Sequence, residues 1–349
     1  MRSLRESITI TCVVSGLFLC SSLSVGNDAL DVDPTRPERQ ILHLCETDGT
    51  PIRPLVTDEE LRDRFDHQGT PEISADGKHI AFDAVTYDST RTSQQSRIVI
   101  VDFDGDDAIN VIDGELPSFS PDGKRLVFSR QRRYTNTDGA EGTSVWMMDI
   151  DGGNKKMVAH RGAWGGRWSP DGKSIVFYGG EKSTGVPVAK NCLRLFDIES
   201  ETTTNVFSPD ESPFGELSFQ FEWAKDDSRR VVFGGPLKDT AELATGVIQV
   251  DQGISSLTVR TGDTMGASLI HGSSYDWKPD GNSFLMSGTI GDRILPISVS
   301  IDLLESLQTF DGIPDDVSAS DPIHTPDGKH LIVSFRTQKQ SASDSSQLR

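Results

Sequence analysis

The sequence is short of cysteine and of positive charge. It has 4 cysteines, and its 34 Lys and Arg stand against 53 Asp and Glu, a formal net charge of -19. An acidic surface repels phosphate backbones, so we expect no nucleic-acid partner. Cys12 and Cys20 lie in the N-terminal apolar stretch, and the repeat register described below places Cys45 and Cys192 on opposite sides of the molecule. We therefore predict two buried thiols and no disulfide between them.

The N-terminal apolar run is too short to span a bilayer. It extends from Ile8 to Leu19, follows Arg2 and Arg5, and is followed by small residues that fit a cleavage site. This pattern predicts a secretory signal peptide over residues 1–26. The residue before Cys20 is leucine, which disfavours a lipoprotein. We expect a periplasmic or secreted protein that does not span a membrane.

Catalytic and cofactor motifs are also missing. The chain has no Gly-x-Ser-x-Gly nucleophile elbow and no phosphate-binding Gly-rich motif, and its histidines show no metal-ligand spacing. We therefore expect no cofactor, with a divalent cation in a central channel as the alternative.

The sequence does contain a hairpin motif, repeated six times. Its clearest copy runs from Arg167 to Phe177, with the sequence Arg-Trp-Ser-Pro-Asp-Gly-Lys-Ser-Ile-Val-Phe. Pro170 and Asp171 suit the second and third positions of a type I turn, and Gly172 can adopt the left-handed conformation that follows. Successive copies lie 46 to 55 residues apart, counted between their key aspartates, which are Asp76, Asp122, Asp171, Asp226, Asp280 and Asp327.

A second, alternating strand unit lies between the hairpins. Five copies follow a hairpin, but the sixth, Ile41-Leu-His-Leu-Cys45, precedes the first hairpin. Four-stranded units whose last member takes its outer strands from the N-terminus predict an all-β, six-bladed β-propeller. Such a propeller is closed by its own first segment. We place it at residues 41–336.

The remaining segments follow from composition and periodicity. The polar residues 27–40 predict a linker, residues 59–65 a short helix, and residues 337–349 a disordered tail. The second strand of each hairpin is a continuous apolar run, such as Ile175-Val-Phe177. A strand packed between neighbouring sheets is buried on both faces and shows no alternation, so this run fits a propeller.

The Ser-Pro-Asp-Gly-Lys hairpins and the Val-Asp-x-Asp-Gly strands resemble the repeat of TolB and its relatives. The resemblance covers residues 41–336 and implies an exported propeller that engages envelope proteins at one mouth of its channel. TolB carries an α/β domain ahead of its propeller, whereas a short linker is predicted here. The resemblance therefore implies the propeller and not a role in a Tol–Pal system.

The innermost strand of each repeat places its residues nearest the channel. Candidate residues occur at two positions of this strand, four and three residues before the key aspartate. We expect the side chains there to lie near one another around the channel; they are Glu72, Arg167, Glu222 and Asp276 at the first position and His324 at the second. Glu72, Asp276 and His324 form a candidate cation site or acid–base pair. The alternative interpretation is structural, with His324 bonded to a backbone carbonyl and the acids paired with Arg167 or water.

Trp164 is a separate candidate. It lies between Gly162 and Gly165 in the loop that enters the third repeat, where an exposed tryptophan can anchor a partner. The other aromatic residues of this cluster are predicted to form core between the blades; they are Trp168, Phe221, Trp223 and Tyr275.

The leading hypothesis is a monomeric, non-catalytic propeller of the cell envelope or its transport systems. It binds a protein or peptide at the channel mouth through Trp164, Arg167, Glu72, Glu222, Asp276 and His324. The rival hypothesis is a carbohydrate-active hydrolase or lyase with Glu72, Asp276 and His324 around a channel cation. A third is a sensor module whose partner is the active component.

Overall fold

The computed structural model describes residues 39–86, 95–105, 108–132, 142–160, 162–180, 190–218, 220–226, 229–262, 268–269, 274–279, 281–301 and 307–337. Three predicted segments fall wholly or partly outside the described residues. They are the signal peptide over 1–26, residues 27–38 of the linker and residues 338–349 of the tail. Asp280, the key aspartate of the fifth repeat, also lies outside the described residues. Within the described part of the chain, no helix is long and apolar enough to cross a membrane.

The described elements are almost all strands. The first group is β1 (Arg39–Cys45), β2 (Pro51–Pro54), α1 (Glu59–Asp63), β3 (His67–Ile73), β4 (His79–Thr86), β5 (Gln95–Asp102), β6 (Ala108–Asp113), β7 (Glu115–Phe119), β8 (Arg125–Arg132), β9 (Gly142–Asp149) and β10 (Lys156–Ala159). The next group is β11 (Trp164–Trp168), β12 (Ser174–Tyr178), β13 (Leu193–Asp197), β14 (Thr203–Asn205), β15 (Phe221–Trp223), β16 (Arg230–Pro236), β17 (Leu243–Gln249), a 3-10 helix (Val250–Ser256) and β18 (Thr258–Thr261). The last group is β19 (Ser268–Leu269), β20 (Tyr275–Trp277), β21 (Ser283–Ile290), β22 (Arg293–Ser300), β23 (Gln308–Thr309), β24 (Ser318–His324) and β25 (Leu331–Thr337).

The described strands pair into five sheets. Three sheets have four strands each, in the orders β7-β8-β9-β10, β11-β12-β13-β14 and β15-β16-β17-β18. A fourth sheet has five strands, β19-β21-β22-β23 with β20 paired to β21. The last has eight, β24-β25-β1-β3-β4-β5-β6 with β2 paired to β1. The expectation of six separate four-stranded blades is therefore wrong. The last and first repeats share one sheet because Gln40 of β1 pairs in parallel with His67 of β3.

The first strands of successive repeats form a closed ring. β3 contacts β7, β7 contacts β11, and the contacts continue through β15, β20 and β24 back to β3. The sheets therefore stand around a central channel, which is the architecture of an all-β propeller.

The N-terminal strand β1 pairs with the C-terminal strand β25. Arg39 lies opposite Thr337 and Cys45 opposite Leu331, so both strands extend slightly past the predicted limits of the repeats. Leu42 is buried in a core cluster that also contains Ile332 of β25. The two ends of the described chain are thereby held in one sheet.

The predicted turn chemistry is confirmed. Gly172 has a φ of +71°, and its amide donates to the carbonyl of Ser169 at 2.9 Å. The Asp171 carboxylate accepts from the Ser169 hydroxyl at 2.6 Å and from the Lys173 amide at 3.0 Å. The same contacts recur at Asp76, Asp122 and Asp327.

Three further predictions agree with the structure. Ile175, Val176 and Phe177 of β12 are fully buried. The helix α1 occupies most of the predicted segment, and its first turn is capped by Asp58, which accepts from the Leu61 amide at 2.7 Å. Cys45 and Cys192 are both buried and form no disulfide with each other.

Candidate functional site

The innermost strands enclose a cavity of about 410 Å³. Its wall combines apolar side chains and prolines with a small set of charged groups. The charged residues that line it are Glu72, Arg167, Glu222, Lys225, Asp276 and His324. The structure thus brings together all of the predicted site residues except Trp164.

A β-bulge in the inner strands directs these side chains. The pairing of β3 with β4 slips between Gly69 and Glu72, and Thr70, inside that bulge, has a φ of +44°. β11 slips in the same way before Arg167. A bulge bends its strand and re-aims the residues that follow it. Glu72 and Arg167 follow their bulges directly and line the cavity.

Asp276 is the most heavily bonded acid of the site. One oxygen, Oδ2, accepts from Nδ1 of His324 at 2.6 Å and from the His324 backbone amide at 2.8 Å. The other, Oδ1, accepts from Nζ of Lys225 at 2.5 Å. Burial alone would raise the pKa of Asp276, but the Lys225 ammonium and the His324 hydrogen bond outweigh it, and the pKa lies below its usual range.

Glu222 is paired with Arg167. Nε of Arg167 lies 3.3 Å from Oε2 of Glu222, and the guanidinium also donates to the carbonyls of Leu116 and Pro117 at 3.2 and 3.0 Å. The Trp223 amide donates to Oε1 of Glu222 at 2.9 Å. Burial nevertheless raises the pKa of Glu222 to about 7, against the lowering effect of Arg167.

Glu72 differs from the other two acids. No side chain among the described residues forms an ion pair or hydrogen bond with its carboxyl group. Burial, and then repulsion from Glu222, raise its pKa to about 8, although Arg167 and Lys225 act in the opposite direction. Glu72 is therefore mainly protonated at neutral pH.

The predicted aromatic core is confirmed, since Trp168, Phe221, Trp223 and Tyr275 are all buried. The indole of Trp223 donates to the Arg167 carbonyl at 3.2 Å, and the indole of Trp277 donates to the Glu222 carbonyl at 3.1 Å. Both rings are buried, so they join one inner strand to the next and hold the charged side chains in register.

Trp164 does not lie in an exposed loop, and that expectation is wrong. It is the first residue of β11, only 7% exposed, and it belongs to a core cluster with Val145 and Tyr178. Gly162 and Gly165 on either side adopt left-handed conformations, with φ of +92° and +73°. The bends that they allow turn the ring into the core.

One contact differs from the structural interpretation, and one residue is absent from the prediction. His324 bonds to the Asp276 carboxylate rather than to a backbone carbonyl. Lys225 was missed, although the sequence carries a signal for it. The other repeats have Ala75, Pro121, Pro170, Pro279 and Pro326 at its position, so Lys225 is the charged exception.

The donor set does not favour a divalent cation. Within the described residues, no three His, Cys, Asp or Glu side chains are grouped so that they could hold a metal ion. Both oxygens of Asp276 already accept hydrogen bonds from Lys225 and His324. The hydrolase or lyase hypothesis built on Glu72, Asp276 and His324 stays a prediction.

Comparison with known proteins identifies the fold. No family model and no curated protein matches the chain. Among solved structures, TolB from Acinetobacter baumannii is similar, with a TM-score of 0.55 and 17% identity over 86% of this chain and 65% of that chain. The fold is that of a TolB-like β-propeller. The match spans less than two thirds of that TolB. The propeller domain of the Trilobed protease from Pyrococcus furiosus aligns with a TM-score of 0.48 and 12% identity, over 82% of this chain and 99% of that domain.

A Glu72→Gln variant is expected to be more stable than the wild type in alkaline solution. The pKa of Glu72 is raised from 4.5 to about 8 in the folded state. Its contribution to stability is therefore complete below the unfolded pKa and is lost as the pH rises through about 8. The cavity admits solvent, which screens part of this effect, so we expect a difference of roughly 2 kcal/mol at about pH 9. Urea unfolding of both proteins at about pH 5 and about pH 9 measures this difference in unfolding free energy. Identical pH dependence in both proteins would contradict the expectation.

Proposed function

We propose that this chain is an exported, non-catalytic propeller that binds a protein or peptide segment at the mouth of its central channel, as a scaffold of the cell envelope or its transport systems. The main observation in support is the cavity of about 410 Å³ enclosed by the inner strands. Pockets for small molecules and cofactors usually measure roughly 300–1,000 Å³. The cavity is large enough for a few side chains of a partner.

The composition of the wall supports a peptide ligand. Apolar groups from Ile73, Phe119 and Ile323 stand beside the polar groups of Glu72 and Lys225. Binding pockets commonly combine an apolar wall with a few polar groups that orient the ligand. The Lys225 side chain is 42% exposed, so its ammonium can contact a ligand as well as Asp276.

Two further observations support the proposal. The fold is similar to that of a TolB, and the N-terminal residues 1–26 have the pattern of a secretory signal. Export and an envelope role are proposed on that pattern and on the resemblance of the repeats.

An Ala75→Trp variant is expected to lose the partner. Ala75 lines the cavity and is exposed at its rim, so a tryptophan there fills the entrance without disturbing the buried core. The matched control is Met157→Trp, because Met157 is 41% exposed on the outer strand β10. The full chain and both variants are immobilised and exposed to an envelope extract of the source cells, and retained proteins are quantified by mass spectrometry.

The expected result is a specific protein retained by the wild type and by Met157→Trp, and reduced about tenfold or more by Ala75→Trp. Equal retention by all three proteins would place the contact outside the channel. Retention of nothing by the wild type would count against the scaffold function itself.

A further inference from the structure

We infer that the ligand group entering the cavity is cationic, the ammonium of a Lys or the guanidinium of an Arg in a peptide segment, and that it pairs with Glu72. This inference rests on the proposed function, because it assigns the ligand chemistry of that same cavity.

The argument begins from the pairing of charges around the cavity. Asp276 bonds with Lys225 and His324, and Glu222 pairs with Arg167. Each cation facing the cavity is therefore already engaged with an acid or with backbone carbonyls. Among the described residues, Glu72 is the acid of this set without an ion-pair partner. Glu72 is therefore the carboxyl group of this set that a ligand cation can engage without displacing a partner.

The position of Glu72 makes it available to a ligand. It follows the bulge of β3, and its side chain lines the cavity together with Ile73 and Phe119. The aliphatic stem of a lysine, or the flat guanidinium of an arginine, packs favourably on apolar and aromatic walls of this kind. A ligand carboxylate would instead have to compete with Asp276 for Lys225 and would meet the negative charge of Glu222.

Because Glu72 is protonated in the free protein, binding of a cation should release a proton that can be measured. In the free protein its carboxyl group is mainly neutral at pH 7, because burial and the charge of Glu222 raise its pKa to about 8. When a ligand cation pairs with this carboxyl group, the Glu72 proton leaves to solvent and an ammonium–carboxylate or guanidinium–carboxylate pair remains. Binding therefore releases a proton, and the affinity rises as the pH approaches the pKa of Glu72.

The test uses a random peptide library displayed on phage and selected on the full chain. Peptides that also bind the Ala75→Trp variant are discarded, which keeps those that need the open channel. Each remaining peptide is synthesised in two forms, one with its Lys or Arg intact and one with norleucine in that place. Both are titrated calorimetrically against the wild type, Glu72→Gln and the control Glu199→Gln, whose side chain is exposed in the turn after β13. Titration in two buffers of different ionisation enthalpy counts the protons released.

We expect the retained peptides to carry Lys or Arg, and to bind about tenfold more weakly after either Glu72→Gln or the norleucine replacement. Proton release at pH 7 should be seen with the wild type and with Glu199→Gln, and should fall sharply with Glu72→Gln, which leaves the smaller contribution of Glu222. Channel-dependent peptides that bind Glu72→Gln as well as the wild type would overturn the inference and leave the proposed function standing. If no peptide distinguishes the wild type from Ala75→Trp, both fail.

Discussion

An Asp276→Ala variant is expected to lose about 3 kcal/mol of unfolding free energy at neutral pH. The Asp276 side chain is 7% exposed and accepts three hydrogen bonds, from Lys225, from the His324 ring and from the His324 backbone. These contacts join β20 to β24 on one side and to the turn after β15 on the other. Removal of the carboxylate leaves the His324 amide and imidazole without their partner inside the channel. Urea unfolding followed by tryptophan fluorescence measures the loss.

The matched control is Lys225→Met, which removes the solvent-exposed partner and keeps the bonds between Asp276 and His324. The Lys225 side chain is 42% exposed, so this ion pair is screened by water, and we expect a loss of only about 1 kcal/mol. Equal losses of unfolding free energy in the two variants would mean that the ion pair between Lys225 and Asp276, and not the hydrogen bonds between Asp276 and His324, stabilises the ring of inner strands.

The same comparison has a definite pH dependence. The folded-state pKa of Asp276 lies below 3.8, the ordinary value for an aspartate, so its stabilising contribution is present above the unfolded pKa and is lost as the pH falls through the folded pKa. The stability difference between the wild type and Asp276→Ala should therefore be constant near neutral pH and shrink below about pH 4.

The local parts of this fold are predictable because each repeat encodes them within a few residues. Asp171 and Gly172 specify the turn through a side-chain cap and a left-handed residue. Ile175 to Phe177 specify a strand buried on both faces. Repetition then places equivalent positions around one channel, which is why Glu72 and Asp276 could be assigned to a shared cavity from sequence alone.

Other features depend on contacts between distant segments. The joining of the first and last repeats rests on one parallel pair between Gln40 and His67, and nothing in either local sequence specifies it. Trp164 was misassigned because flanking glycines indicate a bend but do not show which way the ring turns. Lys225 escapes the prediction because the candidates come from the positions four and three before the key aspartate, whereas Lys225 stands one residue before Asp226.

A chain that lacks residues 39–56 is expected not to fold cooperatively. The deletion removes β1 and β2, and with them the antiparallel ladder between β1 and β25, so that β25 keeps only its pairing with β24. Leu42, Leu55 and Val56 are fully buried, and truncation of one buried leucine to alanine alone costs about 2–5 kcal/mol. The summed loss approaches or exceeds the roughly 5–15 kcal/mol that separates folded from unfolded states of typical domains. Far-UV circular dichroism during thermal unfolding should show no cooperative transition.

A circular permutant is the matched control, because it contains the same strands in a new order. It begins at Thr57, runs to Thr337, and continues through a short Gly/Ser linker into residues 39–56. Arg39 and Thr337 are paired neighbours, so a short linker can join them without strain. The β25–β1 contact then becomes a local hairpin, and we expect the permutant to unfold cooperatively at a temperature close to that of the wild type. A deletion variant that melts like the permutant would show that the ring of inner strands is stable without its N-terminal strand, and that the shared sheet is not what closes it.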